Sequence, residues 1–449
     1  MTSKSPATRT GTITPPFNSD GSSSSSCSCD YEVIIVGAGV AGCSAAYHLQ
    51  QYVGGNDRLL VLDAGPAAGE GVRPRQSGSA TMSSVAPCVK MMVQIFAGSC
   101  QDMMRNHGKE GATRYLTATR EGLVLQKTLA KEIWKDTHSL HMKELGSYYL
   151  GYEQDTEELR REFKTLLELG CGQDDMEWCD KERLQTVEGI SSNFHCGIFF
   201  PKEAVIDSSL YAKTLLQLTI EKSNGKAQFW ANSPVATVQE DSDAVTVTLQ
   251  SGTQIRAKQV VMATGALYQD AKLNGLLKPC YSYLVHVPVN TVSTTTNSND
   301  DCCDNSANFF TWGFSHDWCF TNGKVRISGE DHFSAYKPPH LQERCARLSH
   351  WTLEQYHHND PQQNVHDFPQ QYGLYSETPD MAPLVGRIQP NSRICYLLGC
   401  NAWGQTILSY CSSLIPGLMQ YTQLTEQQQD CLKLLSIQRF SQLPAALSS

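Results

Sequence analysis

The sequence predicts an α/β fold that is built on a parallel sheet and carries a second, strand-rich region. Three features lead to this prediction. A glycine-rich turn at residues 37–42 lies between an apolar run and a helical pattern, another apolar run follows at residues 58–65, and alternating apolar stretches fill residues 235–265. A β-α-β unit makes its two strands parallel, whereas alternation is typical of antiparallel strands.

The β-α-β unit is the first ordered part of the chain. Residues 33–36, Val-Ile-Ile-Val, form a continuous apolar run, which is typical of a strand buried on both faces. Ala45, Ala46 and Leu49 follow at helical spacing and predict a helix. The second run, RLLVLDAG, predicts another buried strand, and this strand ends at Asp63.

The turn between the first strand and the helix has the GxGxxG pattern. Gly37 permits a tight turn, Gly39 lets the backbone approach a pyrophosphate, and Gly42 lets the helix pack close to the strand. Asp63 stands at the place where a carboxylate binds ribose hydroxyls. The pattern predicts a dinucleotide site and leaves NAD and FAD both open. The expected contacts in this unit are Gly37, Gly39, Val40, Ala41, Gly42, Asp63 and Ala64.

Helices are predicted in the next third of the chain. From about residue 115 to residue 169 the pattern becomes helical, with apolar residues repeating every four positions from Leu125. A second helix is expected to begin near Asp155 or Thr156 and to end at Gly170, because glycine commonly follows the last helical turn.

Strands dominate the sequence after the helices. Residues 235–265 predict a β-meander with a turn at Ser251 and Gly252. Residues 294–308 are polar and low in complexity, so we expect a loop insertion there. Asn322-Gly323 predicts a hairpin turn. Helical sequence resumes near His340, and residues 393–414 predict a last strand, turn and helix.

Composition excludes several classes of function. The net charge of −9, from 36 basic and 45 acidic residues, argues against nucleic acid or an anionic membrane as the partner. Residues 1–30 carry no apolar run, so we expect a disordered Ser/Thr-rich leader and a cytoplasmic protein, with an organelle transit peptide left open. The 17 cysteines lack metal-site spacing, and we expect reduced thiols and no metal.

Three motifs together resemble one enzyme family. GAGVAG, VVMATG at residues 260–265, and ETPDMAPLVG followed by GCNAWGQT resemble, in order and spacing, the D-amino-acid oxidase superfamily. More narrowly, they are similar to the glycine/sarcosine oxidase branch of FAD-dependent amine oxidoreductases. The resemblance spans about residues 31–430 and implies FAD as the cofactor.

The resemblance also implies a division into domains. A Rossmann-like FAD-binding domain would be assembled from discontinuous segments, and an α+β substrate (cap) domain with a mixed β-sheet would cover the flavin ring. The expected segments are the leader 1–30, the FAD-binding domain 31–110, 196–275 and 375–430, the cap 111–195 and 276–374 with the insertion 294–308, and a C-terminal tail 431–449.

Further cofactor contacts follow from the resemblance. The small-residue loop at 77–81 would run beneath the flavin ring, one strand would hold the adenine end, another would pack beside the cofactor, and GCNAWGQT would form the final flavin-binding turn. A plain loop, ordinary sheet core and a buried Trp-Gly turn are the structural alternatives. The residues implied are Ser77, Gly78, Ala80, Thr81, Val235, Thr264, Gly265, Gly399, Trp403, Gly404, Gln405 and Thr406.

Two positions depart from the family pattern in the flavin-binding turn and in the segment before it. Some relatives carry a lysine where this chain has Thr406, so the helix dipole would carry more of the stabilisation of a reduced flavin. Relatives with covalent flavin carry a cysteine where this chain has Gly373. We therefore expect FAD to be bound without a covalent link.

The candidate catalytic residues are Lys324 and Arg326, which share one face of a predicted strand. In sarcosine-oxidase-like proteins the matching strand carries a lysine, and Arg326 takes that place. Arginine favours bidentate pairing with a carboxylate and does not release a proton near neutral pH. A solvated strand face is the structural alternative for both residues.

The resemblance implies oxidation of the C–N bond of a small amine or amino acid. Hydride would pass to flavin N5, the imine would hydrolyse, and oxygen or another acceptor would reoxidise the flavin. Two alternatives remain open at this point: a 2-hydroxy acid dehydrogenase that uses FAD, and a non-catalytic flavin-binding scaffold. The expected partners are thus small molecules, with neither nucleic acid nor membrane.

Overall fold

A computed structural model of the chain describes most of the sequence between residues 29 and 442. The described ranges are 29–53, 58–69, 91–96, 98–266, 273, 275–289, 307–321, 323–334, 340–356 and 364–442. The loop expected beneath the flavin ring, with Ser77, Gly78, Ala80 and Thr81, lies outside the described residues, as does most of the insertion expected at 294–308.

The strands and helices are numbered in chain order. The strands are β1 (Tyr31–Val36), β2 (Leu59–Leu62), β3 (Met91–Met92), β4 (Met142–Lys143), β5 (Ser147–Gly151), β6 (Glu177–Cys179), β7 (Cys196–Phe200), β8 (Ala204–Ile206), β9 (Ala227–Trp230), β10 (Val235–Glu240), β11 (Val245–Leu249), β12 (Gln254–Met262), β13 (Lys278–Pro288), β14 (Asn308–Thr311), β15 (His316–Thr321), β16 (Lys324–Phe333), β17 (Gln370–Glu377), β18 (Leu384–Arg387) and β19 (Ile394–Leu398). The α-helices are α1 (Val40–Leu49), α2 (Cys100–Trp134), α3 (His138–His141), α4 (Thr156–Glu168), α5 (Lys181–Leu184), α6 (Ser208–Lys222), α7 (Leu341–Gln355), α8 (Gln405–Leu418) and α9 (Glu426–Leu435). Short 3-10 helices occupy Lys135–Thr137, Glu153–Asp155, Val365–Asp367 and Ile437–Gln442.

The first sheet contains the predicted β-α-β unit. Its strand order is β10-β11-β12-β1-β2-β9, and β19 joins beside β12 with β18 next to it. β1 runs parallel to β2 and β12, with Ile34 opposite Leu60 and Val260, and all three residues are fully buried. α1 packs between the sheet, α6 and α8. The predicted parallel unit and the β10–β12 meander are thereby confirmed.

The second sheet has one apolar face. Its strand order is β17-β13-β16-β15-β14-β5-β7-β6. Val285, Trp318 and Ile327 belong to one apolar cluster on this sheet, and α7 packs over that face. Successive residues of a strand point to opposite faces, so the residues between these positions form the other face. β15 and β16 pair antiparallel, as the predicted hairpin requires, and Asn322 of its turn lies outside the described residues.

The other face of the second sheet is polar and points toward the first sheet. Directly opposed residues of antiparallel strands lie on the same face. Asp317 is opposite both Ser328 and Phe310, which places the three together. Phe310 packs edge-on against Trp403, with 4.8 Å between the ring centroids. Because Trp403 belongs to the loop before α8, this face meets the predicted flavin-binding turn.

A small third sheet and one long helix complete the contact between the two larger sheets. The third sheet has strand order β3-β8-β4, and Val205 of β8 contacts Cys319 of β15. α2 packs along α8. A Cβ on Gly122 of α2 would clash with the main-chain carbonyl of Thr406, so this glycine permits the close approach of the two helices.

Three elements differ from the sequence-based expectation. α2 begins at Cys100 rather than near residue 115, because Ser99 caps the helix by accepting from the amide of Asp102 at 3.1 Å. Non-helical backbone at Gly108 (φ 69°) interrupts the helical pattern there. Asn308, expected in the insertion, begins β14. β7, expected in the FAD-binding segment 196–275, pairs with β5 and β6 of the second sheet.

The described ranges contain neither a membrane-spanning helix nor a metal-binding cluster. No helix within them is long and apolar enough to span a bilayer. Among the same residues, no group of three or more His, Cys, Asp or Glu side chains is arranged to hold a metal ion. Cys43, Cys395 and Cys411 are buried and form no disulfide.

Candidate functional site

The glycine-rich turn has the geometry of a phosphate-binding turn. Gly37 has a φ of 105°, and a Cβ there or on Gly42 would clash with a main-chain carbonyl. Gly39 is the N-cap of α1, and a Cβ built on it meets no atom within 4 Å. Val40 and Ala41 form the first turn of α1, and no side chain caps that turn. Open space in front of an uncapped helix N-terminus fits a pyrophosphate.

The carboxylate of Asp63 lies at the end of β2, directly beside this turn. Its Oδ2 accepts from the amide of Ala38 at 2.6 Å, and its Oδ1 accepts from the amide of Gly65 at 2.6 Å. Ala64 lies between Asp63 and Gly65 in the chain. A carboxylate has about four acceptor positions, so hydroxyl donors of a ribose can still be accommodated.

Val235 is brought close to Asp63 by main-chain hydrogen bonds. The amide of Asp63 donates to the carbonyl of Trp230 at 3.0 Å, and the amide of Ser233 donates to the carbonyl of Asp63 at 2.7 Å. The connection from β9 to β10 therefore runs past the end of β2. Val235 begins β10 and is partly buried, so the segment stands where the adenine end of a dinucleotide was expected.

An unpartnered hydroxyl lies on the other side of the glycine turn. Thr264 Oγ1 is buried and has no hydrogen-bond partner among the described residues. The Cα of Thr264 lies close to the position that a Cβ of Gly37 would take. Gly265 follows with a φ of 59° and open space in front of it. Buried polar atoms are normally hydrogen-bonded, so this orphaned hydroxyl fits a bound dinucleotide.

The turn before α8 is held in an unusual backbone conformation. Gly399 (φ 76°) and Asn401 (φ 48°) are in the left-handed region. The buried Asn401 side chain accepts from the amide of Thr378 at 2.8 Å and donates to the carbonyl of Gly399 at 2.9 Å. A Cβ on Gly404, the N-cap of α8, would clash with a main-chain carbonyl. The start of α8 therefore presents main-chain amides, as the flavin-binding turn requires.

The side chains of this turn point into the protein. Thr406 Oγ1 donates to the carbonyl of Val93 at 2.7 Å, and Gln405 Oε1 accepts from Ser208 at 2.6 Å. Trp403 is buried against the second sheet. These three residues would position the turn, and the contact with a flavin would come from its backbone.

The segment 378–383 is fastened to the C-terminal part of the chain. Arg439 forms a bidentate pair with Asp380, at 2.6 Å from Nε to Oδ2 and 2.9 Å from Nη2 to Oδ1. The same guanidinium donates to the carbonyls of Ala382 and Pro383. Both charged side chains are nearly buried. The stretch is therefore a clamped part of the interior rather than a surface loop.

The two candidate catalytic residues lie in different environments. Arg326 is 7% exposed and lies on the polar face of the second sheet, between His286 on β13 and Cys319 on β15. Lys324 is exposed at the first position of β16. Only Arg326 therefore belongs to the enclosed face, and Lys324 has the solvated position that was its structural alternative.

Four further side chains share the polar face with Arg326 and Ser328, and the six residues together are called the polar wall. The wall consists of Asp317, Arg326, Ser328, Asp331, Tyr375 and Glu377. Asp317 Oδ1 accepts from the hydroxyl of Ser328 at 2.6 Å. Burial raises the pKa of Asp317 to about 6, while Ser328 and Arg326 act in the opposite direction.

One phenol links the two remaining carboxyls of the polar wall. The hydroxyl of Tyr375 lies 2.8 Å from Asp331 Oδ2 and 3.0 Å from Glu377 Oε1. Desolvation by the surrounding atoms raises the pKa of both carboxyls, although Asp331 remains accessible to solvent. A phenol has one proton and donates to one acceptor at a time. The hydroxyl of Ser282 also acts on Asp331, so Glu377 is the carboxyl of this pair to which a ligand or solvent could supply a further donor.

Sequence reasoning missed these carboxyls. Asp317 and Asp331 occur in the strand sequences HDWCF and GEDHF, where acidic residues are uncommon. An acid within a strand that alternates with apolar residues is a usable signal. The irregular register between β13 and β16 near Asp331 hides its direction from a simple period-two count.

Gly373 lies in β17, opposite Ser282 on β13. With no sulfur at this position, acid precipitation of the purified protein is expected to leave FAD in the supernatant, measured by its absorbance and fluorescence. Flavin that remains in the denatured pellet would contradict non-covalent binding.

Comparisons with known proteins give a family for the chain and several proteins of similar fold. A family model described as FAD dependent oxidoreductase (DAO) matches residues 32–415. The structure is similar to glycine oxidase from Geobacillus kaustophilus, with a TM-score of 0.67 and 16% identity over 89% of this chain and 96% of that chain. It is also similar to iminodiacetate oxidase from Chelativorans sp. BNC1, with a TM-score of 0.62 and 15% identity over 88% and 98%.

A third similar structure is L-alpha-glycerophosphate oxidase from Mycoplasma pneumoniae with FAD bound, with a TM-score of 0.62 and 15% identity over 87% of this chain and 95% of that chain. No curated protein matches the chain. At these identities the structural similarity is evidence for the fold, and it confirms the predicted α/β class.

Proposed function

Because the chain belongs to the family of FAD-dependent oxidoreductases, we propose that it oxidises the C–N bond of a small amine or amino acid. Membership confirms the expected FAD cofactor and the oxidoreductase class. The observation that carries the choice of substrate is the polar wall, which holds three carboxyls and a single guanidinium.

The carboxyls of the wall suit a substrate ammonium. Asp331 and Glu377 both lie within hydrogen-bond distance of the Tyr375 hydroxyl, which donates to one of them at a time, and the hydroxyl of Ser282 also acts on Asp331. A protonated amine has several N–H donors and a positive charge, which together satisfy a carboxylate more strongly than water does.

Arg326 and Asp317 suit the remainder of the substrate. Arg326 is the buried cation of the wall, and its charge acts on the carboxyl of Asp317. A guanidinium in this position can orient a substrate carboxylate, if one is present, by paired hydrogen bonds. An amine without a carboxylate would leave the charge of Arg326 balanced against Asp317.

The cofactor would be held by residues of the first sheet and the turn before α8. The glycine turn would bind the pyrophosphate, and Asp63 would bind the ribose. Val235 would hold the adenine end, and Thr264 and Gly265 would contact the adjoining part of the cofactor. The backbone of residues 399–406 would hold the flavin. FAD, when bound, would supply the hydride acceptor, with oxygen or another acceptor taking the electrons afterwards, and the imine product would hydrolyse in water.

The polar wall favours an amine over a 2-hydroxy acid. A 2-hydroxy acid offers a carboxylate to Arg326 but has no ammonium group to donate to the carboxyls of the wall. An amine supplies that donor and a positive charge.

Anaerobic mixing of the purified flavoprotein with candidate substrates tests the proposal. Small amines and amino acids are expected to bleach the long-wavelength flavin absorption. Bleaching by 2-hydroxy acids alone would favour the dehydrogenase. A flavin that no amine, amino acid or hydroxy acid reduces would support the non-catalytic scaffold.

Asp331→Asn is expected to raise KM for a cationic amine about tenfold or more, equivalent to about 1.4 kcal/mol, with a smaller change in kcat. The amide keeps the shape of the side chain and removes the charge that attracts the ammonium. Steady-state kinetics with an amine that has no carboxylate measures the effect.

The neighbouring acid offers a matched control. Glu330 is held by Arg344 and Arg347 on α7, so Glu330→Gln is expected to leave KM unchanged. Equal KM changes in the two variants, or none in Asp331→Asn, would contradict the proposed binding of the ammonium.

A further inference from the structure

One buried carboxyl lies close to the flavin-binding turn and has no role in the function proposed above. Glu203 precedes β8 and is 0% exposed. Its Oε1 accepts from the amide of Gln94 at 2.7 Å. Its Oε2 is enclosed and has no hydrogen-bond partner among the described residues. A buried carboxylate oxygen without a hydrogen-bond donor is unfavourable in free energy, and protonation of the carboxyl removes most of that penalty.

The surroundings of Glu203 contain a second unpartnered oxygen. Asn308 is 0% exposed and donates through Nδ2 to the carbonyl of Ala204, next to Glu203. Its Oδ1 has no partner among the described residues. Asn308 is also the cross-strand neighbour of Ser147, whose hydroxyl acts on the Glu203 carboxyl. The site is thus a buried cluster of polar oxygens with unused hydrogen-bonding capacity, which suits the binding of a proton.

A single peptide group connects Glu203 to the start of α8. The amide of Gln94 donates to Glu203, and the carbonyl of the same peptide unit, that of Val93, accepts from Thr406 Oγ1 at 2.7 Å. Thr406 is the second residue of α8, in the turn expected to hold the flavin. A peptide unit hydrogen-bonded on both sides polarises along its dipole, so charge on one side acts on the other.

We propose that Glu203 is the proton-accepting residue of the cofactor pocket, and that its Oε2 takes up one proton from water when cofactor reduction adds negative charge at the start of α8. The proton returns to water when the cofactor is reoxidised. The substrate amine supplies the two electrons and their hydrogen as hydride, so the proton on Glu203 compensates the added charge. The inference rests on the proposed function, because it requires FAD at this turn.

Electrostatics around Glu203 set the pH at which this uptake begins. Burial raises the pKa of Glu203 to about 8, and the amide of Gln94 and the hydroxyl of Ser147 act in the opposite direction. The Cys171 thiol also interacts with this carboxyl. The other charged groups on the surrounding elements are Arg120 on α2, Glu162 on α4, Asp175 before β6, Lys202 after β7, Lys143 at the end of β4, Glu144 between β4 and β5, and Arg326 on β16.

Reduction of the cofactor is expected to raise the pKa of Glu203 further. Nearby negative charge raises the pKa of a carboxyl, so Glu203 has a higher pKa when the cofactor is reduced. Below about pH 8 the carboxyl is protonated in both redox states and no proton moves. Above that pH, up to the higher pKa of the reduced state, one proton is taken up for every two electrons.

Glu162 provides a matched comparison for Glu203. It is also buried, its Oε1 accepts from the amide of Cys100 at 2.7 Å, and its Oε2 has no partner among the described residues. Burial raises the pKa of Glu162 as well. It binds the start of α2, whereas Glu203 is joined through one peptide group to α8.

The experiment measures the midpoint potential of bound FAD against pH in the wild type, Glu203→Gln and Glu162→Gln. Each proton taken up per two electrons changes the equilibrium constant tenfold per pH unit, so the proton on Glu203 adds about 30 mV per pH unit to the slope of the flavin itself. We expect that additional slope above about pH 8 in the wild type and in Glu162→Gln, and its loss in Glu203→Gln. Glutamine retains an oxygen for the amide of Gln94, which favours folding of the variant.

Two further measurements support or overturn the inference. Ser147→Ala is expected to move the break in slope to higher pH, because the hydroxyl that lowers the Glu203 pKa is removed. Reduced-minus-oxidised infrared difference spectra should show a carboxylic acid C=O band that appears above about pH 8 and is absent in Glu203→Gln. An unchanged slope in Glu203→Gln, equal losses in both glutamine variants, or a wild type without the additional slope would overturn the inference alone. A protein that binds no FAD would overturn the proposed function as well.

Discussion

In the glycine turn, Gly42→Ala is expected to abolish FAD binding. Gly39→Ala is expected to weaken FAD binding and to leave the fold intact. A Cβ on Gly42 would clash with the carbonyl of Gly37, which is itself held at a φ of 105°. A shift of the backbone that relieved this clash would be energetically unfavourable, because α1 is packed between the first sheet and two helices. The turn would be displaced and the site lost.

Gly39→Ala separates binding from folding. Gly39 has φ −75° and ψ −175°, which any residue adopts, and its Cβ would meet open space. The free energy of unfolding without FAD should therefore change by less than about 0.5 kcal/mol. The added methyl group would occupy the space assigned to the pyrophosphate, so Kd for FAD should rise about tenfold or more, equivalent to about 1.4 kcal/mol.

Reconstitution of apoprotein with FAD, followed by flavin fluorescence, gives Kd for each variant, and urea unfolding gives its stability. A wild-type Kd in Gly39→Ala would mean that the pyrophosphate does not approach this glycine. Normal FAD binding by Gly42→Ala would contradict the packing argument.

Arg439→Ala is expected to lower the free energy of unfolding by about 3–5 kcal/mol, because it leaves a buried carboxylate without its cation. The side chains of Arg439 and Asp380 are 11% and 9% exposed. The guanidinium also donates to carbonyls of the segment 378–383, so the loss would free the connection to the flavin-binding turn. FAD should dissociate at lower urea concentration than the wild type requires.

The control is an ion pair in a different environment. Arg347 pairs with Glu330 on the far side of the second sheet, where the side chains are 52% and 22% exposed. Such pairs contribute roughly 0.2–1 kcal/mol, so Arg347→Ala should be mild. Comparable urea midpoints for Arg439→Ala and Arg347→Ala would show that the buried pair does not hold this segment.

The parts of the fold that sequence reasoning predicted are those with strong local signals. The β-α-β unit, the β10–β12 meander, the β15–β16 hairpin and the helix at Thr156 each depend on spacing within one short stretch. The glycine roles were also predictable, because a tight turn and a close helix approach demand residues without a Cβ. α2 was misplaced at its start, since Gly108 breaks its pattern.

The polar wall could not be predicted in the same way. Asp317, Asp331 and Glu377 come together through pairing of β13, β15, β16 and β17, which are distant in sequence. Their shared face depends on register, and a change of one residue would turn each side chain to the opposite face. Glu203 was equally hidden, because its proximity to Thr406 arises from tertiary contacts through Val93 and Gln94.

The short connection between β17 and β18 joins an edge of the second sheet directly to the first sheet. Glu377 ends β17 on the polar wall, and Thr378 follows it and binds Asn401 in the turn before α8. The proposed substrate side and the proposed cofactor side would therefore be consecutive in the chain. Their relative placement is preorganised when the protein folds, so ligand binding does not have to bear the entropy of bringing the two sides together.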